Sequence, residues 1–170
     1  GDVYKRQEFD NDVEIGDVGE LVLKSAANMR CYLNKDAETS EVLKDGWLYT
    51  GDLAKIDKNE LITLVDRKKN IIIRGGENIS AQEVQTVILE HPDVIEAAIF
   101  ALPNERLGEI VGACVFCGET SNADEDSLKE FLRKSLAAYK IPEHIWFKKK
   151  PLPRVASEKI DVEALKKEYS

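Results

Sequence analysis

The run Ile71-Ile72-Ile73-Arg74-Gly75-Gly76-Glu77-Asn78-Ile79-Ser80 holds the transition on which the fold turns. Its three isoleucines predict a buried strand, and its end predicts the start of a helix. Ser80 and Glu83 are spaced as a capping box, in which the serine oxygen and the glutamate carboxylate each take an amide left unpaired by the first helical turn. Between strand and helix lie Arg74, Gly75, Gly76, Glu77 and Asn78. An elbow this rich in glycine and charge is either a tight turn or a loop that lets a ligand approach the backbone closely.

Downstream, Val84, Val87 and Ile88 form a helical apolar stripe, with Ile79 and Val84 at staple positions, and His91-Pro92 ends it. Ile95 to Leu102 and Ile110 to Phe116 predict strands. Residues 122–138 predict a helix, with Asn122 and Glu125 as a second capping box and Leu128, Phe131, Leu132 and Leu136 as its stripe. His144 to Lys148 predicts a short strand, and Val162 to Glu168 a closing helix. Strands and helices that alternate irregularly predict a compact α+β domain over residues 67–170, a small sheet with flanking helices. The Lys148-Lys149-Lys150 run reads as a solvated strand end.

Upstream the texture is β-rich. Glu20 to Lys24, Trp47 to Tyr49, Leu53 to Ile56 and Leu61 to Val65 predict strands. Asp45-Gly46 and Asp57 to Glu60 mark turns, and Thr50-Gly51-Asp52 interrupts the strands. Residues 8–66 hold too little of this texture for a core of their own, so they are read as the end of a larger β-rich domain. An exposed apolar edge over residues 16–66, prone to association, is expected with it. Residues 1–7 carry no pattern and are set aside as a non-native leader. Met29 is the only methionine, so the chain is read as a fragment or a processed product.

The chain has 170 residues, 43% of them hydrophobic, and a net charge of -8, which excludes the basic footprint of a nucleic-acid binder. No apolar run approaches a membrane span, and no signal-peptide pattern opens the chain. Cys31, Cys114 and Cys117 are too few and too scattered for a disulfide framework, which predicts a reducing, cytoplasmic setting. Cys114 and Cys117 have C-x-x-C spacing, but in a strand positions i and i+3 point to opposite faces. With no second pair of ligands they read as core filler, and no metal site is expected.

Four stretches carry chemistry. Asp52, at a strand end beside Gly51, can accept two hydrogen bonds from a vicinal diol such as a ribose, or can bond its own backbone as a turn aspartate. Asp66-Arg67-Lys68-Lys69-Asn70 stands where the texture changes, either as a charged linker or with Arg67 donating to ribose or phosphate oxygens. In the opening run Arg74 can meet a phosphate while Gly75 and Gly76 let a narrow group pass. Lys159, in Pro151-Leu152-Pro153-Arg154-Val155-Ala156-Ser157-Glu158-Lys159-Ile160, is either an ordinary exposed lysine or a cation held to neutralise charge on a transferring phosphoryl group.

Taken in order, these stretches resemble the C-terminal part of the adenylate-forming (AMP-binding) acyl- and aryl-CoA synthetases, the class that includes 4-coumarate-CoA ligase. Trp47 to Leu53 is similar to that family's W-x-x-T-G-D-L element, and Asp66 to Ile79 to its D-R-x-K-[DN]-x-I-x-x-G-G-E-N-I element. Pro103 to Glu109 is similar to P-D-E-R-x-G-E, Tyr139 to Pro142 to [FY]-K-x-P, and Leu152 to Ile160 to L-P-R-[TN]-x-[ST]-G-K-I. The likeness runs from about Gly16 to the end of the chain.

The resemblance implies a two-step ligase. ATP and a carboxylic acid give an acyl adenylate and pyrophosphate; the CoA thiol then attacks and AMP leaves. A small C-terminal lid domain turns about a hinge between the steps. By matching position, Asp52 and Arg67 are nucleotide-binding, Asp66 is the hinge and Lys159 is the catalytic lysine of adenylation. Arg74, Gly75, Gly76, Glu77 and Asn78 line the CoA channel. The Gly-Gly-Glu-Asn form points to a CoA ligase rather than a peptide-synthetase adenylation domain, and a fatty acid is favoured over an aromatic one.

Where the family has glycine before the catalytic lysine, this chain has Glu158; Cys31 and Asn59-Glu60 also replace usual glycines. The family's phosphate loop, main adenine pocket, acid pocket and magnesium carboxylate have no counterpart here, so Mg2+ is expected to bind through residues outside this chain. The chain alone is expected to be catalytically inactive and to work with the N-terminal domain of the same enzyme. The alternatives are a standalone nucleotide- or CoA-binding module without chemistry, and an adenylating enzyme that loads a carrier protein.

Overall fold

The computed structural model describes the backbone of residues 2–6 and, in full, residues 12–118, 121 and 123–169. The chain divides into two units, Gly1–Lys69 and Asn70–Ser170.

The first unit is an antiparallel sheet. β1 (Asp2–Arg6) pairs with β2 (Val18–Lys24). After α1 (Asp36–Val42) and the two-residue β3 (Leu43–Lys44) comes the long β4 (Trp47–Ile56), flanked by β2 on one edge and by β3 and β5 (Ile62–Arg67) on the other. Two expectations change here. Thr50-Gly51-Asp52 does not break the strand. It forms a bulge, since the β2 register slips between Glu20 opposite Leu53 and Val22 opposite Tyr49, with Gly51 at φ 71°. α1 is also unannounced by the sequence, because none of its residues is buried and it therefore has no apolar stripe to read.

The Asp57 turn is as expected. Its carboxylate accepts from Asn59 N and Leu61 N, and Glu60 stands at φ 63°. Among the described residues of this unit Val22 and Ala54 are the buried hydrophobics, while Ile15, Leu33, Leu61 and Leu64 are each more than half exposed.

The second unit is built on a hairpin of β8 (Val94–Asn104) and β9 (Gly108–Cys117), paired from Val94 opposite Cys117 to Asn104 opposite Gly108. β10 (His144–Lys148) joins the other edge of β9 in parallel, and β6 (Ile71–Arg74) reaches β9 at Gly108 while pairing with β7 (Glu77–Ser80). α2 (Ala81–Leu89) and α3 (Glu125–Leu132) supply apolar side chains to one face, and α4 (Val162–Tyr169) to the other.

Strand alternation sorts the core. Ala97, Ile99, Val111, Ala113 and Val115 join Val84, Ile88, Leu128 and Leu132; Ala98, Phe100, Leu102, Ile110 and Cys114 join Leu152 and Leu165. Cys114 and Cys117 accordingly face opposite sides. Burial is the main cause that pushes the Cys114 thiol up to about 11, so it stays a protonated filler group.

The opening run differs from its sequence reading. It is a β-hairpin in which Glu77–Ser80 is the return strand and the helix starts at Ala81. Of the three isoleucines only Ile72 is buried, and Ile73 is 54% exposed, because β6 has one face toward the core. Ser80 caps α2 by accepting from Glu83 N, but the Glu83 carboxylate takes Lys140 Nζ at 2.7 Å through both oxygens.

The helix expected over residues 122–138 is shorter. α3 is capped by Asp124 and Ser127, each side chain bonded to the other's backbone amide, and the chain leaves the helix after Leu132. Asn122 lies outside the described residues. The Ser127 amide, and after it the Ser127 hydroxyl, hold the Asp124 carboxyl below its ordinary range. Lys148 is not simply solvated: it bonds Glu168 at 2.6 Å, which raises the lysine pKa and lowers the glutamate's.

Two outcomes check this packing. A Cβ on Gly112 would lie 2.7 Å from Leu102 Cδ1 and 3.2 Å from Phe100 Cε2 inside the hairpin core, so Gly112→Ala is expected to cost ~1–3 kcal/mol in urea denaturation. Leu61→Ser combined with Leu64→Ser, on exposed positions of the first unit, is expected to reduce hydrophobic-dye binding and self-association without a comparable loss of stability.

Candidate functional site

In the first unit the β4 bulge presents Asp52 beside β5. Asp52 is opposite Arg67 in the register, and Arg67 Nε donates to Asp52 Oδ1 at 2.7 Å. The arginine also donates to Thr50 O at 3.3 Å. The bulge is held from below: Thr50 Oγ1 donates to Leu21 O at 2.6 Å, and Gly51 N donates to Glu20 Oε1 at 3.1 Å. Glu20 Oε2 in turn takes Lys68 Nζ at 3.2 Å. Asp66 Oδ1 accepts Arg67 N at 2.6 Å. Asp52, Asp66 and Arg67 are thus brought together at the C-terminal end of β5. Both partners of the Asp52–Arg67 pair keep solvent access, 33% and 52% of their side chains, so the pair can open to a polar ligand at little cost.

In the second unit the turn Gly75-Gly76 has φ of 59° and 91°, the left-handed pair that a two-residue hairpin favours. This is why two glycines stand there. The hairpin tip is pinned to the β8–β9 turn. Gly75 N donates to Leu107 O at 2.8 Å, Ile73 N donates to Glu109 Oε2 at 2.8 Å, and the Asn104 side chain accepts from Arg106 N and Leu107 N. A Cβ at Gly75 would meet Leu107 Cδ2 at 3.3 Å, whereas at Gly76 the same position is open space. Arg74 lies 3.7 Å from Glu143 at the entry to β10. Arg74, Gly75, Gly76, Glu77 and Asn78 therefore form one exposed, rigidly held tip.

Lys159 sits on a turn between β10 and α4. Val155 N donates to Lys159 O at 2.9 Å, Glu158 N donates to Val155 O at 2.9 Å, and Arg154 pairs with Ile160. Arg154 Nη1 donates to Glu158 O at 2.6 Å, and its Nη2 meets Glu96 Oε1. Among the described residues neither the Glu158 carboxylate nor the Lys159 ammonium forms an ion pair. Glu158 has φ 62°, in the region that favours glycine.

Residues 83–159 match the family model described as the AMP-binding enzyme C-terminal domain. That segment belongs to the AMP-binding enzyme C-terminal domain family. It is 41% identical over 142 residues to a long-chain-fatty-acid–CoA ligase of Bacillus subtilis, a match covering 84% of this chain and 25% of the relative. It is 36% identical over 144 residues to a 2-succinylbenzoate–CoA ligase of Geobacillus kaustophilus, covering 85% and 29%.

Among solved structures, the o-succinylbenzoate CoA synthetase of Bacillus subtilis, in complex with its acyl-adenylate intermediate, superposes with a TM-score of 0.88 at 30% identity, over 97% of this chain and 33% of that one. An amide bond synthetase from Marinactinospora thermotolerans gives 0.87 at 30% identity, over 99% and 34%. The chain thus spans about a quarter of the length of the curated relatives it matches.

The sequence reading passed over three carboxylates that hold the sites together: Glu20 under the Asp52 bulge, Glu109 behind the glycine turn and Glu96 behind the Lys159 turn. Glu96 left a readable signal, a charge inside the otherwise apolar Val94-Ile95-Glu96-Ala97-Ala98, on the face shared with Ala98. Among the described residues no group of three or more His, Cys, Asp or Glu converges as a metal site, and no helix is long and apolar enough to cross a membrane.

Glu158→Gly removes a side chain from a left-handed position, and is expected to raise the stability of the chain by ~0.5–1 kcal/mol in thermal unfolding.

Proposed function

We propose that this chain is the C-terminal part of an AMP-forming acid–CoA ligase, a cytoplasmic enzyme that makes an acyl-CoA from a carboxylic acid, ATP and CoA. A carboxylate oxygen of the acid attacks the α-phosphorus of ATP and displaces pyrophosphate; the CoA sulfur then attacks the acyl carbon and AMP leaves. The observation that carries the reading is that two exposed turns are pinned to one stiff hairpin. Glu109, opposite Pro103, pins the Arg74–Asn78 tip; Glu96, opposite Phe116, pins the Lys159 turn. From Glu96 to Pro103 the hairpin runs roughly 23 Å at a strand rise of ~3.3 Å per residue. Two tips so far apart serve one reaction centre by turns, which suits a reaction of two steps.

In this reading Asp52 takes the ribose hydroxyls, with Arg67 as its neighbour and a further nucleotide contact. Asp66 is the hinge, and residues 67–170 turn about it against the domain that ends with residues 8–66. Lys159 neutralises charge that builds on the phosphoryl group and acid during adenylation. The tip of Arg74, Gly75, Gly76, Glu77 and Asn78 lines the CoA passage, the open space at Gly76 being where pantetheine runs. Among the described residues no cluster of acidic side chains fits a magnesium ion. A fatty acid is the acid we favour, on the likeness to the Bacillus subtilis ligase. The likeness to an amide bond synthetase supports a second reading, adenylation with an acceptor other than CoA.

In the full-length protein, Lys159→Ala is expected to lower acid-dependent pyrophosphate exchange by on the order of 100-fold while sparing thioester formation from supplied acyl adenylate. Gly76→Leu is expected to do the reverse. Loss of both half-reactions in either variant would count against the division of labour, and acyl transfer indifferent to CoA concentration would favour the second reading. The 170-residue chain alone is expected to show no exchange.

A further inference from the structure

We propose that Glu96 is a positioning residue for adenylation, the fixed point from which the Lys159 turn takes its shape. The inference rests on the role assigned to Lys159 above; the geometry that supports it does not.

The Glu96 side chain is only 14% exposed, and both of its oxygens are used. Oε2 accepts Leu152 N at 2.7 Å, at the point where the chain enters the turn and where the Leu152 side chain is buried. Oε1 meets Arg154 Nη2. The other guanidinium nitrogen donates to Glu158 O at 2.6 Å, one residue before Lys159. One carboxylate on β8 thus reaches the residue before the lysine by a single relay, Glu96 to Arg154 to the Glu158 carbonyl. The planar fork of arginine suits this task, because it fixes two partners at a set angle.

The relay acts on a residue that has reason to move. Glu158 stands at φ 62°, a conformation that a side-chain-bearing residue leaves unless its surroundings hold it. The carbonyl bonded by Arg154 belongs to that same residue. The downstream end of the turn is secured separately, by Asp161 N donating to Pro153 O at 2.7 Å and by Asp161 Oδ1 accepting Ala164 N at 2.9 Å at the start of α4. Loss of Glu96 would therefore loosen the turn at Leu152 N and at the Glu158 carbonyl, while the buried Leu152 side chain and the Asp161 bonds keep its ends attached, and would shift Lys159 without dismantling α4.

Two measurements test this. In the 170-residue chain, Glu96→Gln and Arg154→Ala are expected to speed cleavage by a lysine-specific protease after Lys159 at least several-fold relative to the other lysines, as local opening exposes the turn. Arg154 is 41% exposed on its side chain, so its removal serves as the milder variant should Glu96→Gln fold poorly. In the full-length protein both variants are expected to lower pyrophosphate exchange by on the order of 10- to 100-fold, as a misplaced catalytic group does, with thioester formation from supplied acyl adenylate unchanged.

Unchanged cleavage after Lys159 in both variants would overturn the proposal, as would an equal loss of both half-reactions, which marks a merely structural role. Exchange unaffected by Lys159→Ala would instead overturn the role given to Lys159, while faster cleavage in the Glu96 variant would still support its hold on the turn.

Discussion

The β8–β9 hairpin is the constraint on which the rest of the second unit depends. Its two strands are buried on both faces, so side-chain alternation sends one set of residues toward α2 and α3 and the other toward α4. A strand covered on both sides cannot slip by one residue without exchanging its two cores, so the register is fixed. Everything hung on the hairpin inherits that rigidity. Gly112 marks how tightly the second face is filled, since the space beside it is taken by Leu102 and Phe100.

Both candidate tips lie at the edges of this rigid piece. The two exposed tips are each held by a carboxylate from the hairpin, Glu109 at one end and Glu96 at the other. A carboxylate suits both positions because it accepts a backbone amide that the turn cannot satisfy internally, a bond stronger than one to a neutral acceptor. The two tips differ in their backbone chemistry. At Gly75 and Gly76 left-handed conformations are taken by glycine, and the turn needs no further restraint on that account. At Glu158 the same kind of conformation is imposed on a residue with a side chain, and an arginine bonds its carbonyl.

The first unit follows another economy. It buries few hydrophobic side chains among its described residues and leaves several large ones in water, so its order rests on the antiparallel ladder and on polar contacts around the bulge. Asp52 owes its position to that bulge. Gly51 allows the irregular backbone, Thr50 and Glu20 bond across to β2 and to the bulge itself, and Arg67 arrives from the neighbouring strand by register alone.

Much of this was legible in the sequence. Apolar periodicity was enough for β8, β9, β10, α2 and α4, because each is half or wholly buried and burial writes its period into the residues. Opposite facing of Cys114 and Cys117 followed from strand geometry alone. The order of the short motifs was enough for the family. Tertiary structure decided what periodicity does not encode: α1 has no buried face, and Glu77–Ser80 is a strand because it pairs with β6, though its own residues read equally well as a helix approach. The cap of α3 fell to Asp124 and Ser127. The partners of Glu20, Glu96 and Glu109 lie 31 to 58 residues away in the chain, with Glu109 paired across 36. Local sequence sets the period of a segment and the chemistry of a turn; which distant amide or guanidinium a carboxylate meets is settled only when the strands have taken their register.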